Sequence, residues 1–262
     1  MGYFPTSNAT TKSLRESIRE LAHSAAPYVR ATGEILAEAL WPTRCAVCDT
    51  PGRTLCESCT RNLAYIDWNR ACPRCGAPFG AVQCCECNPV MLSAAERQEL
   101  PFERLVSAVS YDDAAKAIAS TFKDKGERRL AQDMARAMSR CIPPEWFTQS
   151  AVITFVPASK AAFRKRGFDH AELLCRTLAE ILEIECTSLF ARPRSFDQRA
   201  LSRKQRAENM KGRLELLPKV EVAQNVIVVD DVCTTGATLF AACDALAQGG
   251  AQLIRCVTFA RV

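Results

Sequence analysis

The chain has 262 residues, 48% of them hydrophobic and 24% charged, an ordinary globular composition with room for one full domain and a smaller companion. No apolar run reaches the roughly eighteen residues of a membrane helix, and the first residues lack the basic, apolar and small-residue blocks of a secretory signal, so no membrane insertion and a cytoplasmic location are expected. A net charge of +5 with a pI near 8.5 fits a polyphosphate or nucleic-acid partner without requiring either.

Residues 1–11 are polar. From Lys12, Leu14, Ile18, Leu21 and Ala25 recur at helical spacing opposite Arg15, Glu16, Arg19 and Glu20 until Pro27 interrupts, which predicts an amphipathic helix packed on its own domain or used at a surface. A second short helix through Ile35, Leu36 and Leu40 should end at Trp41-Pro42, closing an N-terminal helical extension over residues 1–41.

Four Cys-x-x-Cys pairs follow: Cys45 with Cys48, Cys56 with Cys59, Cys72 with Cys75, and Cys84 with Cys87, separated by 7, 12 and 8 residues. Without a secretory signal this pattern points to metal rather than disulfides. Each pair can turn two sulfurs toward one ion, so four pairs make two tetrahedral sites, with zinc the expected metal; an iron–sulfur cluster and a set of free thiols are the other readings. Four sulfurs leave no open coordination position, so the sites are expected to be structural. Gly76 follows the Cys72–Cys75 pair, as a tight turn requires, and Cys85 stands beside the spacing as a non-ligand.

After Pro89 strand-like and helix-like segments alternate. Leu105 to Tyr111, Ala151 to Val156, Val226 to Val229 and Leu253 to Phe259 read as strands. Ala114 to Phe122, Leu130 to Cys141, the segment from Ala171 to Leu182, and Leu239 to Leu246 read as helices, the last stopped by Gly249-Gly250. Such alternation predicts an α/β domain over residues 91–262 with a mostly parallel sheet flanked by helices. Two basic segments accompany it. Arg164-Lys165-Arg166-Gly167 is expected on the loop between a strand and a helix, where it could hold a pyrophosphate. A polar stretch from Arg192 to Arg213, with Arg194, Arg199, Arg203, Lys204, Arg206 and Lys211, is expected to be a functional loop.

The most specific signal lies at Val226 to Leu239. Four β-branched residues precede Asp230 and Asp231, which should stand where the strand ends; Cys233, Thr234, Thr235, Gly236, Ala237 and Thr238 then lead into a helix. A small-residue turn entering a helix N-terminus is an anion site, because its free N–H groups and the helix dipole both favour negative charge. Neighbouring carboxylates beside it can accept hydrogen bonds from a pair of hydroxyls, so the pattern describes a ribose 5-phosphate. The segment resembles the phosphoribosyl pyrophosphate (PRPP) signature of type I phosphoribosyltransferases. Cys233 within it reads as a packing residue rather than a nucleophile.

With the cysteine pairs and the Arg166-Gly167-Phe168 run, the whole pattern from about residue 30 to 262 resembles the ComF family, phosphoribosyltransferase-like proteins with a double zinc ribbon associated with bacterial competence and DNA uptake. Lys123 and Lys125-Gly126 match the family's Lys ahead of a Gly, and Gln198, Leu201, Arg206 and Asn209 match a further segment. The family's Asn-Gln pair is replaced by Asp169-His170, where His170 reads as a helix-start residue with a solvent or capping role, or as a general base.

The resemblance implies a small double zinc ribbon over residues 42–90 and a type I phosphoribosyltransferase-like fold. It implies PRPP bound with Mg²⁺ by Asp230, Asp231 and the Cys233–Thr238 turn, and pyrophosphate neutralised by Arg164, Arg166, Gly167, Gln198 and Arg206. Displacement at the anomeric carbon would then rest on Asp230 and Asp231, positioning and charge stabilisation. The other reading is a binding module for single-stranded DNA or for competence and DNA-processing proteins, for which Tyr65, Trp68 and Phe79 are the available stacking aromatics.

Overall fold

The computed structural model describes residues 42–147, 150–193 and 214–262. The expected N-terminal helices and Gln198, Leu201, Arg203, Lys204, Arg206 and Asn209 lie outside the described residues. The chain divides into two compact units, residues 1–45 with 49–53 and residues 46–48 with 54–262. In the first, Arg44 bridges antiparallel to Pro51 and pairs with Asp49 at 2.9 Å.

The second unit is built on a five-stranded parallel sheet in the order β1-β5-β4-β2-β3, with β1 Arg104–Ser110, β2 Ala151–Phe155, β3 Glu185–Cys186, β4 Asn225–Cys233 and β5 Leu253–Arg261. Val226 to Val229 are wholly buried, as a central strand covered on both faces requires, and each such side chain contributes about 1.5–3 kcal/mol. Successive strand residues face opposite ways. Val226, Val228, Ile254 and Cys256 form one cluster with Leu239, Ala242, Cys243 and Leu246 of the helix after β4.

The helices in chain order are α1 Glu57–Arg61, α2 Pro89–Ala94, α3 Asp113–Lys123, α4 Leu130–Ser139, α5 Lys160–Arg166, α6 His170–Leu182 and α7 Ala237–Gln248. Helix α3 starts where the Asp112 carboxylate accepts the Ala115 N–H at 2.8 Å, and it buries Ala115, Ile118, Ala119 and Phe122 at helical spacing. Helices α4 and α6 pack on each other, α4 against β1 and β5 and α6 against β2 and β4.

Two elements differ from the sequence expectation. Pairing of β4 with β2 ends at Phe155 opposite Val229, but pairing with β5 continues through Asp230 opposite Thr258 to Cys233 opposite Arg261. The acid pair therefore lies within the strand, at a stretch whose β2 side is open. Residues 160–166 form a short helix rather than a loop, started by the Ser159 hydroxyl accepting the Ala162 N–H and stopped by Gly167 in the left-handed region.

The ribbon segment closes the free edge of β1. Ile66 donates its N–H to Ala108 at 3.0 Å, Ser110 donates to Ala64 at 2.8 Å, and Leu105 donates to Arg74 at 2.9 Å. In the set 72/75/84/87 the four sulfurs lie within 4.8 Å of one another, and Cys48 and Cys56 bring theirs to 3.6 Å. Contacts of 3.6 Å for Cys72 and Cys87 and 3.5 Å for Cys75 and Cys84 approach the roughly 3.8 Å edge of a zinc tetrathiolate, so the donor sets fit structural zinc. The turns leave no room for larger residues. A Cβ on Gly76, held at φ +69°, would sit 2.6 Å from the Leu105 carbonyl oxygen, and one on Gly80 would sit 2.6 Å from Cys72 Cβ.

Metal analysis should therefore return about two zinc ions per chain. Gly80→Ala, which drives a methyl against Cys72 and Cys84, should reduce this to one ion and lower the melting temperature. Two ions at unchanged melting in that variant would count against the second cluster.

Candidate functional site

The open end of β4 faces a cleft of about 1100 Å³ whose walls include Asp230, Asp231, Thr234 and Thr238 from β4 and its turn, Lys123 and Asp124 from the end of α3, and Arg166 and His170 from α5 and α6. Lys160 and Arg192 add two more cations, and Tyr111, Ser120 and Glu215 complete the polar surface.

The acid pair is held asymmetrically. Asp231 is buried and accepts from the Lys123 ammonium at 2.9 and 3.2 Å, while the Asp230 carboxylate accepts the Asp231 N–H at 2.8 Å. Burial by itself would raise the Asp231 carboxyl, but the charges of Lys123 and His170 outweigh it and hold the group below the usual carboxylate range. Among the described residues no cation forms an ion pair with Asp230. Burial, and then the neighbouring Asp231 charge, push it well above that range. Lys123 is held above its ordinary value because the two carboxylates overcome its burial, so it stays charged. Among the described residues one ammonium thus serves two carboxylates, in contact with Asp231 and acting on Asp230 only through its charge.

The turn after the acids is bare of side-chain caps. Gly236 occupies the cap of α7 at φ +74° and supplies no cap hydrogen bond, while the Thr235 hydroxyl accepts the Ala237 N–H at 3.4 Å. A side chain at position 236 would be strained and 3.1 Å from the Phe240 ring. With the Ala237 N–H taken by Thr235, the remaining first-turn N–H groups and the dipole of this twelve-residue helix suit an anion.

Among the expected site residues, Asp230, Asp231, Thr234, Thr238 and Arg166 meet in the cleft. Cys233, Thr235, Gly236 and Ala237 line a separate, more apolar cavity of about 840 Å³ with Met91, Leu92, Phe102 and Phe240, so the turn is a thin wall. Arg164 and Gly167 line neither cavity. Positions two apart on a helix do not share a face, which is why Arg166 enters the cleft and Arg164 does not. Burial pushes the Cys233 thiol up to about 11 against the pull of Arg261, in keeping with a packing role.

Asp169 and His170 take structural positions. The Asp169 carboxylate accepts the N–H groups of Ala158, Ala171 and Glu172 and the Arg192 guanidinium, capping α6 and fixing the loop after β2. His170 is buried rather than solvent-facing, edge-on to Phe122 at 6.4 Å and 3.3 Å from Arg166 through Nδ1. Sequence reasoning matched Lys123 to a pattern without assigning it to the acids. The only available signal was a lysine at the end of an amphipathic helix, because its partner lies 108 residues away.

Burial, together with Lys123 and Arg166, lowers His170 to about 4 from the ordinary 6.5. The unfolded chain therefore binds the proton first as pH falls, and stability present above 6.5 should decline between 6.5 and 4 by up to about 3 kcal/mol. His170→Gln should flatten that limb in denaturant titrations at pH 7 and pH 5 with zinc retained, and equal slopes in the two proteins would exclude His170 as its source.

Residues 36–88 match the family model for a double zinc ribbon domain, and residues 165–262 match that for a phosphoribosyl transferase domain. The chain is 30% identical to competence protein ComFC of Bacillus subtilis over 218 residues, covering 80% of this chain and 85% of that protein. It is 28% identical to the DNA utilization protein YhgH of Salmonella typhi, covering 77% and 94%, and 26% identical to competence protein F of Haemophilus influenzae, covering 71% and 80%. Two four-cysteine clusters ahead of a parallel sheet, matched in that order by both family models and along four-fifths of the chain by ComFC, establish that the chain belongs to the ComF family.

Proposed function

We propose that the cleft binds PRPP with Mg²⁺, that residues 91–262 act as the phosphoribosyltransferase-like domain, and that the ribbon over residues 42–90 is its structural partner, behind an extension over residues 1–41. One observation carries this reading: among the described residues the carboxylate pair, with Lys123 as its ion-pair partner, stands in one cleft with Thr234 and Thr238, which flank the turn entering the N-terminus of α7. Asp230 and Asp231 would accept hydrogen bonds from the ribose hydroxyls. Thr234, Thr238 and the first N–H groups of α7 would hold the 5-phosphate. Lys160, Arg166 and Arg192 also line the cleft and supply positive charge with which a pyrophosphate would be neutralised.

The raised carboxyl of Asp230 fits Mg²⁺, an oxygen-binding cation commonly held by one or two carboxylates together with phosphates. When bound, Mg²⁺ would supply further neutralisation of the leaving pyrophosphate. This chain's residues position the anomeric carbon, keep Asp231 ionised through Lys123, and present donors to the phosphate, so displacement needs no covalent nucleophile. The relatives named for competence and DNA utilization support a place in DNA uptake or nucleotide metabolism.

A second reading, single-stranded DNA binding at the ribbon, is favoured by one surface. Phe79 is 75% exposed with the Arg70 guanidinium 5.0 Å above its ring, and Trp68 is 41% exposed. An aromatic face under a cation suits base stacking.

Asp230→Asn should leave the melting temperature level or slightly raised, since it removes a charge the fold disfavours, and should weaken PRPP by about ten- to a hundred-fold in calorimetry with Mg²⁺ present. Unchanged affinity would remove the acid pair from the site. For the second reading, binding of a labelled oligothymidine should weaken with salt and fall by about ten-fold in a Trp68→Ala/Phe79→Ala variant. Binding indifferent to both would exclude the ribbon surface.

A further inference from the structure

The residue that joins the ribbon to the anion-binding turn is the penultimate residue of the chain. Arg261 is 6% exposed at the end of β5, opposite Cys233 in the last β4–β5 pair. A buried guanidinium is costly unless its donors are satisfied; Nε has no partner among the described residues, so the contacts of Nη1 and Nη2 are what offset the burial. On one side Nη1 donates to the Thr234 carbonyl at 3.0 Å, to Cys233 Sγ at 3.0 Å and to the Cys233 carbonyl at 3.4 Å. On the other, Nη2 donates to the Glu86 carboxylate. Glu86 stands between Cys84 and Cys87, and its own N–H donates to Cys84 Sγ at 3.4 Å.

These contacts form an unbroken chain from a sulfur of the second cluster, through Glu86 and Arg261, to the first peptide of the turn. Because a peptide unit is planar with its C=O and N–H opposed, fixing the Thr234 carbonyl on Arg261 also fixes the direction of the Thr235 N–H, pointing it away from Arg261. The direction of that N–H matters only to a ligand at the turn. A planar fork suits this double duty; an ammonium, a point charge on a flexible stem, cannot hold both sides with the same geometry.

We propose that Arg261 is a positioning residue that couples the second cysteine cluster to the turn, so that metal binding at Cys72, Cys75, Cys84 and Cys87 and PRPP binding at the cleft strengthen each other. This rests on the PRPP reading given above. Coupling between two binding sites is reciprocal, so PRPP must protect the metal by the same factor by which the ordered metal site favours PRPP. A purely architectural arginine would affect melting without creating that linkage.

The test titrates the intact protein to equilibrium with a competing chromogenic zinc chelator, with and without saturating PRPP and Mg²⁺, beside calorimetry of PRPP binding. In the wild-type protein PRPP should raise the affinity for one of the two ions by about ten-fold, the size of a typical coupling between sites. Glu86→Gln and Arg261→Lys should each lose that protection and bind PRPP more weakly, with zinc content measured first to confirm that both sites are filled. The wild-type comparison requires no variant, so it holds even if a substitution prevents folding. A wild-type protein that binds PRPP but yields both ions to the chelator with unchanged affinity overturns the coupling and leaves the PRPP reading intact. Absence of any PRPP heat in the wild type overturns that reading and the coupling with it.

Discussion

Two adjacent carboxylates share one ammonium at the end of a buried strand. Lys123 sits on Asp231, which leaves Asp230 with burial and a like charge as its dominant surroundings. Such a pair is unfavourable for the folded state taken alone, because a carboxyl raised above its ordinary range destabilises the fold at neutral pH. Buried groups held against their own preference cluster at sites where a ligand completes the set. Here a ligand would add a cation and hydrogen-bond donors at Asp230 itself, in a cleft whose walls also carry Lys160, Arg166, Arg192, Thr234 and Thr238.

The sheet makes this arrangement available. Because β4 outruns β2 but remains paired to β5, the acids have backbone support on one side and an open cleft on the other. Carboxyl ends of parallel strands are where α/β folds place their ligands, and the β4 end is shared with β5, whose last residues include Arg261. The ribbon does more than shield an edge. By pairing with β1 and reaching Arg261 through Glu86, it becomes part of what holds the turn after the acids.

Much of this was legible from sequence, and the reasons are local. Unbroken β-branched runs mark buried parallel strands, apolar residues at helical spacing mark α3, α4 and α6, and four Cys-x-x-Cys pairs, one of them followed by Gly76, mark metal turns. What was not legible depends on partners remote in sequence. The extension of β4 past Val229 follows from its register with β5. The helix at residues 160–166 depends on a one-residue cap at Ser159 and on Gly167, signals too short to stand out in a basic run. The burial of His170 is set by Phe122 and Arg166, and the pairings of Lys123 with Asp231 and of Arg261 with Glu86 span more than a hundred residues. Asp169, which stands where the family carries an amide, proved to be the cap of α6 and the anchor of Arg192.

The central claim is that a ligand supplies the positive charge that no described residue brings into ion-pair contact with Asp230, and this can be measured as protons. A carboxyl held partly protonated in the free protein must release its proton when a cation and hydroxyl donors arrive. Calorimetry of PRPP and Mg²⁺ binding near neutral pH, repeated in buffers of different ionisation enthalpy, should show net proton release that is absent in Asp230→Asn. Binding with the same proton balance in both proteins would contradict the claim.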